Sequence, residues 1–247
     1  MSPLISAVGV RKGFGKGSQR IEVLRGVDLE VGPGEFVAIV GSSGAGKSTL
    51  LYCLCGLIAA DGGSIALAGN DLGSASRSEL ARIRRDHVGV VFQDLNLISS
   101  LNVRDNVRLP ARLAGMRPRR RDVMHALETV GLASCADKYP NHLSGGQRQR
   151  VAIARSLVRA PQVLFADEPT GSLDVASRET VLDLLRETVT DSTSLVMITH
   201  DLDIAATAAR VIVLANGRHD RVLPPPPSEE LFETMRCSEL LHIGTRT

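Results

Sequence analysis

The sequence predicts an α/β fold: a mainly parallel sheet with helices on both faces, an N-terminal antiparallel β subdomain, and a helical subdomain inserted into the sheet domain. Three observations carry this expectation. The runs at 36–40, 88–92, 163–166 and 195–199 are apolar almost throughout rather than alternating, as strands covered on both faces must be. Residues 4–31 alternate in short pieces broken by glycines, which suits antiparallel strands. From about 94 to 139 there is no strand-like run of comparable strength, only helical periodicity at 103–113 and 122–130.

Taken in order, strands are expected at 5–8, 21–24 and 27–31, with Gly13, Gly15 and Gly17 in a loop and Gly32-Pro33-Gly34 as a turn. Phe14 is a lone aromatic in that loop, equally suited to stacking on a base and to ordinary loop duty. The run 36–40 leads into Gly41-Ser42-Ser43-Gly44-Ala45-Gly46-Lys47-Ser48-Thr49 and then an apolar helix. Gly41 followed by Gly46-Lys47-Ser48 is the P-loop spacing: the glycines let successive N–H groups face one concavity, which the positive end of the following helix completes as a triphosphate cradle. Lys47 is expected to reach the β- and γ-phosphates. Ser48 is expected to ligate Mg²⁺, and Thr49 to carry the helix onward.

Cys53 and Cys55, two apart on that helix, point to different faces and suit packing better than metal binding. A turn at 61–63, a strand at 64–68 and a basic helix at 78–85 precede the buried run 88–92, which ends on Gln93 at the strand edge where α/β sheets bind ligands. The helical subdomain spans about 94–160. Its run Arg117-Pro118-Arg119-Arg120-Arg121 reads as a solvated helix start in preference to a lipid or partner contact.

Leu143-Ser144-Gly145-Gly146-Gln147 opens a helix to about 159, with Ser144 as its cap and two glycines leaving the first N–H groups bare: a second anion-binding helix N-terminus. The run 163–166 ends in Asp167-Glu168. Two carboxylates at a strand end downstream of a P-loop have a Walker B pattern, Asp167 holding Mg²⁺ and Glu168 polarising the attacking water. A turn at Gly171-Ser172-Leu173-Asp174 enters a helix at 176–189, and the run 195–199 ends on His200 at the same sheet edge as Gln93 and Asp167. A final strand at 211–214 with an Asn216-Gly217 hairpin turn closes a domain of residues 1–223, followed by a proline-rich tail at 224–247.

Twenty-nine basic against 27 acidic residues leave a net charge of +2, so no overall field recommends nucleic acid as a partner. No apolar stretch approaches the roughly 20 residues of a spanning helix, and residues 1–10 lack a secretory pattern, so a cytoplasmic location is expected.

Read together, residues from about 4 to 222 resemble the nucleotide-binding subunit of ATP-binding-cassette transporters. Leu-Ser-Gly-Gly-Gln at 143–147, just upstream of Val-Leu-Phe-Ala-Asp-Glu-Pro at 163–169, is the decisive feature. The resemblance implies Phe14 as the adenine-stacking aromatic, although the family more often has Tyr there. It implies Gln93 as the γ-phosphate and Mg²⁺ sensor, Ser144 to Gln147 as the signature loop, Asp174 as the D-loop aspartate and His200 as the switch histidine. Val91-Phe92-Gln93, Leu97, Asn106-Val107 and residues 164–171 look most like the macrolide-exporter, lipoprotein-releasing and cell-division branch.

The family pattern implies an ATPase with ATP and Mg²⁺ as cofactors. It implies a homodimer or cassette heterodimer closing head to tail around two nucleotides, and a separate transmembrane permease holding the chain at the inner face of the membrane. The alternative is the same chemistry spent on mechanical signalling without transport. A soluble ATPase acting on DNA or ribosomes is disfavoured, because no coiled-coil arm interrupts the domain between Lys47 and Ser144.

Overall fold

A computed structural model of the chain describes residues 2–224 and Leu231. Strands β1 (Ile5–Phe14), β2 (Ile21–Val31), β4 (Gly62–Leu67) and β5 (Asn70–Asp71) form an antiparallel sheet in the order β2-β1-β4-β5. Strands β3 (Phe36–Val40), β6 (Val88–Val91), β7 (Val163–Asp167), β8 (Ser194–Ile198), β9 (Arg210–Ala215) and β10 (Arg218–Leu223) form the second sheet, in the order β10-β9-β3-β8-β7-β6. All its pairings are parallel except the β9–β10 hairpin at the edge.

The helices are α1 (Lys47–Leu54), α2 (Arg77–His87), α3 (Val103–Leu113), α4 (Arg120–Thr129), α5 (Gly145–Leu157), α6 (Val175–Glu187) and α7 (Leu202–Ala205). Strict alternation along the parallel strands feeds two cores. Val37, Ile39, Phe165 and Ile198 pack with α1 and the antiparallel sheet, whereas Ala38, Val40, Leu164 and Met197 pack with Val151 of α5 and Val181 of α6. Leu50 and Leu51 of α1 are fully buried, each contributing about 1.5–3 kcal/mol, so the helix behind the glycine loop is firmly seated.

The expected α/β architecture is observed, with two local corrections. β1 continues through Gly13 and Phe14, so the loop begins only at Gly15. Asp61 holds that strand end, accepting from the Gly13 N–H, Lys12 Nζ and Arg20 Nη2, each at 2.8 Å, and a run of bulges absorbs the irregular register. The pieces expected at 21–24 and 27–31 are one strand, continuous through Gly26. Helices α3 and α4 lie in the segment expected to be helical, and α4 starts at Arg120 within the arginine run, two residues before the expected 122. No helix among the described residues is long and apolar enough to cross a membrane. The expected tail at 224–247 lies outside the described residues apart from Pro224 and Leu231, and Leu231 is buried.

Candidate active site

The loop between β3 and α1 takes its shape from three glycines with positive φ: Gly41 (154°), Gly44 (78°) and Gly46 (98°). A β-carbon at Gly41 would run into the Leu214 carbonyl of β9, and one at Gly46 would meet Leu24 and Val23 of β2 at 3.0–3.1 Å. The loop is therefore gripped by both sheets. The β9–β10 turn adds a clamp: the Gly217 N–H donates to the Ala45 carbonyl at 3.1 Å, and the Gly217 carbonyl accepts from the Arg25 N–H at 2.7 Å.

Lys47 is 6% exposed, and its Nζ donates to the Gly41 and Ser42 carbonyls at 2.9 Å each. Burial pulls its ammonium below the ordinary lysine value, opposed by the negative charges of Glu168 and Asp167. Among the described residues it has no ion-pair partner, so a buried cation beside the bare N–H groups of a helix start suits an anionic phosphoryl group.

Asp167 ends β7 and is 3% exposed. Ser48 Oγ donates to its Oδ1 at 3.1 Å and Tyr52 OH to its Oδ2 at 3.0 Å. This buried carboxylate has hydroxyl partners but no cation within ion-pair distance among the described residues, and the oxygens of Asp167 and Ser48 are of the kind that would hold a hard divalent ion such as Mg²⁺. Among the described residues no three His, Cys, Asp or Glu side chains cluster as a metal cage, so most of such an ion's remaining ligands would be water and phosphate oxygens.

Glu168 is the first residue past β7. Its N–H donates to the Ile198 carbonyl at 3.0 Å, extending the ladder with β8 by one residue. The chain then turns through the left-handed region, with Glu168 at φ 46°, a conformation that costs a non-glycine residue of order 1 kcal/mol or more and clusters at functional sites. The turn brings Glu168 Oε1 to 2.5 Å from His200 Nε2. Both line a cavity of about 280 Å³ with Thr170, Gly171, Arg178, Thr199 and Asp201.

The fold thus gathers Lys47, Ser48, Asp167, Glu168 and His200 at the carboxyl ends of neighbouring parallel strands. Gln93 lies exposed two residues past β6. Its loop is tied to α5 by Arg155, whose guanidinium donates to the Leu95 and Asn96 carbonyls at 2.7 Å each. Phe14 is 48% exposed at the end of β1, with Lys12 Nζ 5.6 Å from its ring centroid.

Ser144 caps α5 as expected: its Oγ accepts from the Gln147 N–H at 3.2 Å and its N–H donates to Gln147 Oε1 at 3.0 Å. Gly145 follows it, and Gly146 is buried against α6. Among the described residues no hydrogen bond or ion pair joins 144–147 to the P-loop. Asp174 caps α6, accepting from the Ser177 N–H at 2.9 Å and Ser177 Oγ at 2.7 Å.

Sequence reasoning missed Tyr52 and Arg155, and it placed Asp61 and Gly217 only in turns. Tyr52 left a local signal, since it lies four residues after Ser48 on one face of α1.

A phosphate-cradling loop after one parallel strand, with paired acids two strands away across β8, is the arrangement of a P-loop nucleoside triphosphatase. Comparison with known proteins narrows that class. The chain belongs to the ABC transporter family, whose pattern matches residues 24–171, and it is an ATP-binding-cassette ATPase domain.

It is 44% identical over 236 residues to the macrolide export ATP-binding/permease protein MacB of Nitrosomonas europaea, covering 93% of this chain and 36% of that protein. It is 45% identical over 231 residues to MacB 1 of Aeromonas hydrophila subsp. hydrophila, covering 92% and 36%. The chain therefore spans about a third of the length of these curated relatives. Among solved structures, the dimeric ATP-binding cassette MJ0796 in a post-hydrolysis state bound to ADP and Pi superposes with a TM-score of 0.82. The two are 35% identical, over 90% of this chain and 99% of that one.

Proposed function

We propose that the chain works as the ATP-hydrolysing cassette of an exporter, paired head to tail with a second cassette around two Mg-ATP, and held at the inner face of the membrane by a membrane-spanning permease. One observation carries the reading. The chain has two helix starts suited to anions, at Lys47 and at Ser144, and no bond among the described residues joins them. Head-to-tail pairing would set each signature loop against the other chain's P-loop.

In that pair Lys47 and the loop N–H groups bind the β- and γ-phosphates, Phe14 stacks on adenine, and Gln93 senses the γ-phosphate. Ser48, Asp167 and Gln93 would hold Mg²⁺, which would offset phosphate charge. Glu168 accepts the proton of the attacking water, and His200, already paired with it, keeps that carboxylate aimed. Export by a permease partner is supported by the names of the relatives.

The test mixes two variants, each expected to be inactive as a homodimer: Lys47→Ala, which spoils the P-loop, and Ser144→Arg, which fills the signature site. A mixed dimer has one composite site with both lesions and one with neither, so phosphate release should partly return. No recovery in a pair crosslinked as one of each variant would count against shared sites.

A further inference from the structure

The turn from α3 into α4 has a chemistry that the nucleotide site does not use. Residues 112–121 contain five arginines (Arg112, Arg117, Arg119, Arg120 and Arg121) and no acidic residue. Leu113 is 79% exposed and Met116 50% exposed within the same ten residues. Asp122 neutralises part of the charge, bonding Arg119 at 3.1 and 3.3 Å and standing 3.5 Å from Arg121. Arg112, Arg117 and Arg120 have no ion pair among the described residues. An exposed leucine and methionine set among arginines is unfavourable in water and well matched to a surface offering both phosphates and acyl chains.

Beside this tip a pocket of about 280 Å³ is lined by Arg104 and Arg108, one turn apart on α3, and by Arg120 and Val123 of α4, with Asp105 its one acid. Arg104 shares its charge with Asp137 at 2.8 Å. Arg108 Nε is buried without a hydrogen-bond partner, and an unmet guanidinium N–H of that kind favours an incoming oxyanion.

We propose that this tip docks directly on an anionic phospholipid surface. One head-group phosphate enters the Arg104–Arg108–Arg120 pocket, Arg112 and Arg117 meet neighbouring head groups, and Leu113 and Met116 enter the boundary with the acyl chains. An acidic peptide or a nucleic acid would satisfy the arginines and leave the apolar pair wet. A lipid surface accounts for both. The contact is additional to any permease and independent of the nucleotide site, so it stands or falls separately from the exporter reading.

The experiment is co-sedimentation of the full chain with large vesicles of phosphatidylglycerol in phosphatidylcholine, against phosphatidylcholine alone. Binding is expected only to the anionic vesicles and should weaken as salt rises. Arg117→Gln and Arg120→Gln should each weaken it about fivefold. Leu113→Ser should weaken it severalfold with no change in net charge. Leu113 and Arg117 are exposed, so unchanged melting and ATP turnover in those two variants would show that the fold is intact. Equal sedimentation with neutral vesicles, or undiminished binding by Leu113→Ser and Arg117→Gln, would overturn the proposal. So would displacement by inorganic phosphate, or by soluble polyglutamate, at concentrations no higher than the lipid phosphate.

Discussion

Tyr52 and Ser48, one turn apart on α1, divide the Asp167 carboxylate between them: Tyr52 OH donates to Oδ2 at 3.0 Å and Ser48 Oγ to Oδ1 at 3.1 Å. The phenol also tilts against Phe92, with centroids 6.2 Å apart, next to the residue expected to sense the γ-phosphate. The helix that carries the phosphate-binding lysine thereby also orients the acid on β7.

Tyr52→Phe keeps the ring and deletes the bond to Oδ2. Since groups that orient a metal-binding carboxylate typically matter by about tenfold in metal affinity, the variant should need roughly that much more Mg²⁺ for half-maximal ATP turnover. An unchanged Mg²⁺ requirement would mean that Ser48 alone orients Asp167.

Burial first, and then the Asp167 charge, push the Tyr52 phenol up to about 12. A proton held more tightly in the folded state than in the unfolded one stabilises fully below the unfolded value of about 10. That contribution is lost as pH rises from there through 12. In a Tyr139→Phe background, which leaves Tyr52 as the one tyrosine, absorbance at 295 nm should show the neutral phenol at pH 10. A half-ionised signal there would contradict the buried bond.

Glu168→Gln retains a carbonyl oxygen for His200 but cannot accept a proton from water. Turnover should fall by about 10²- to 10⁴-fold with ATP affinity nearly unchanged. Size-exclusion chromatography with ATP should then show a dimer, and a purely monomeric profile at high protein concentration would argue against ATP-bridged pairing.

Gly146 lies so close to α6 that a β-carbon there would stand 2.7 Å from both Cβ and Oγ of Ser177, the residue that Asp174 bonds. Gly146→Ala should therefore destabilise by about 1–3 kcal/mol through overpacking. Adding Ser177→Gly removes both clashing atoms, so the double variant should be less destabilised than the sum of the singles. Urea unfolding measures the cycle, and strict additivity would show that the two helices do not press on each other.

Gly217 sits at φ 75°, and a β-carbon on it would strike the Val23 carbonyl. Gly217→Ala should loosen the clamp that its peptide makes on Ala45 and Arg25. Expected are a stability loss of about 1–3 kcal/mol and weaker ATP binding at a residue far from the phosphates in sequence. Wild-type affinity for a fluorescent ATP analogue would show that the P-loop holds its shape without the hairpin.

Much of the molecule was legible because its signals are short-ranged. The P-loop glycines, the cap at Ser144 and the apolar runs of the parallel strands involve residues within a turn or two of each other, where sterics and local hydrogen bonds decide. The bounds of α3 could be read to the residue from its helical periodicity at 103–113. The end of β1 was misjudged because Asp61, some 48 residues away, outweighs the local preference of Gly13 for a loop.

The motifs imply that Ser48, Asp167 and His200 share one sheet edge, but the contacts that join these distant segments are not written in the local pattern. Asp167 meets Ser48 across 119 residues and Tyr52 across 115 because the sheet order seats β8 between β3 and β7, so the acids lie opposite α1. Glu168 takes a left-handed backbone because its N–H stays in the β8 ladder while its side chain must turn back to His200. Gly217 grips the P-loop because β9 pairs with β3 on its other side. Each of these depends on strand order and register, which arise from the packing of the whole chain, and no residue's neighbours in sequence encode them.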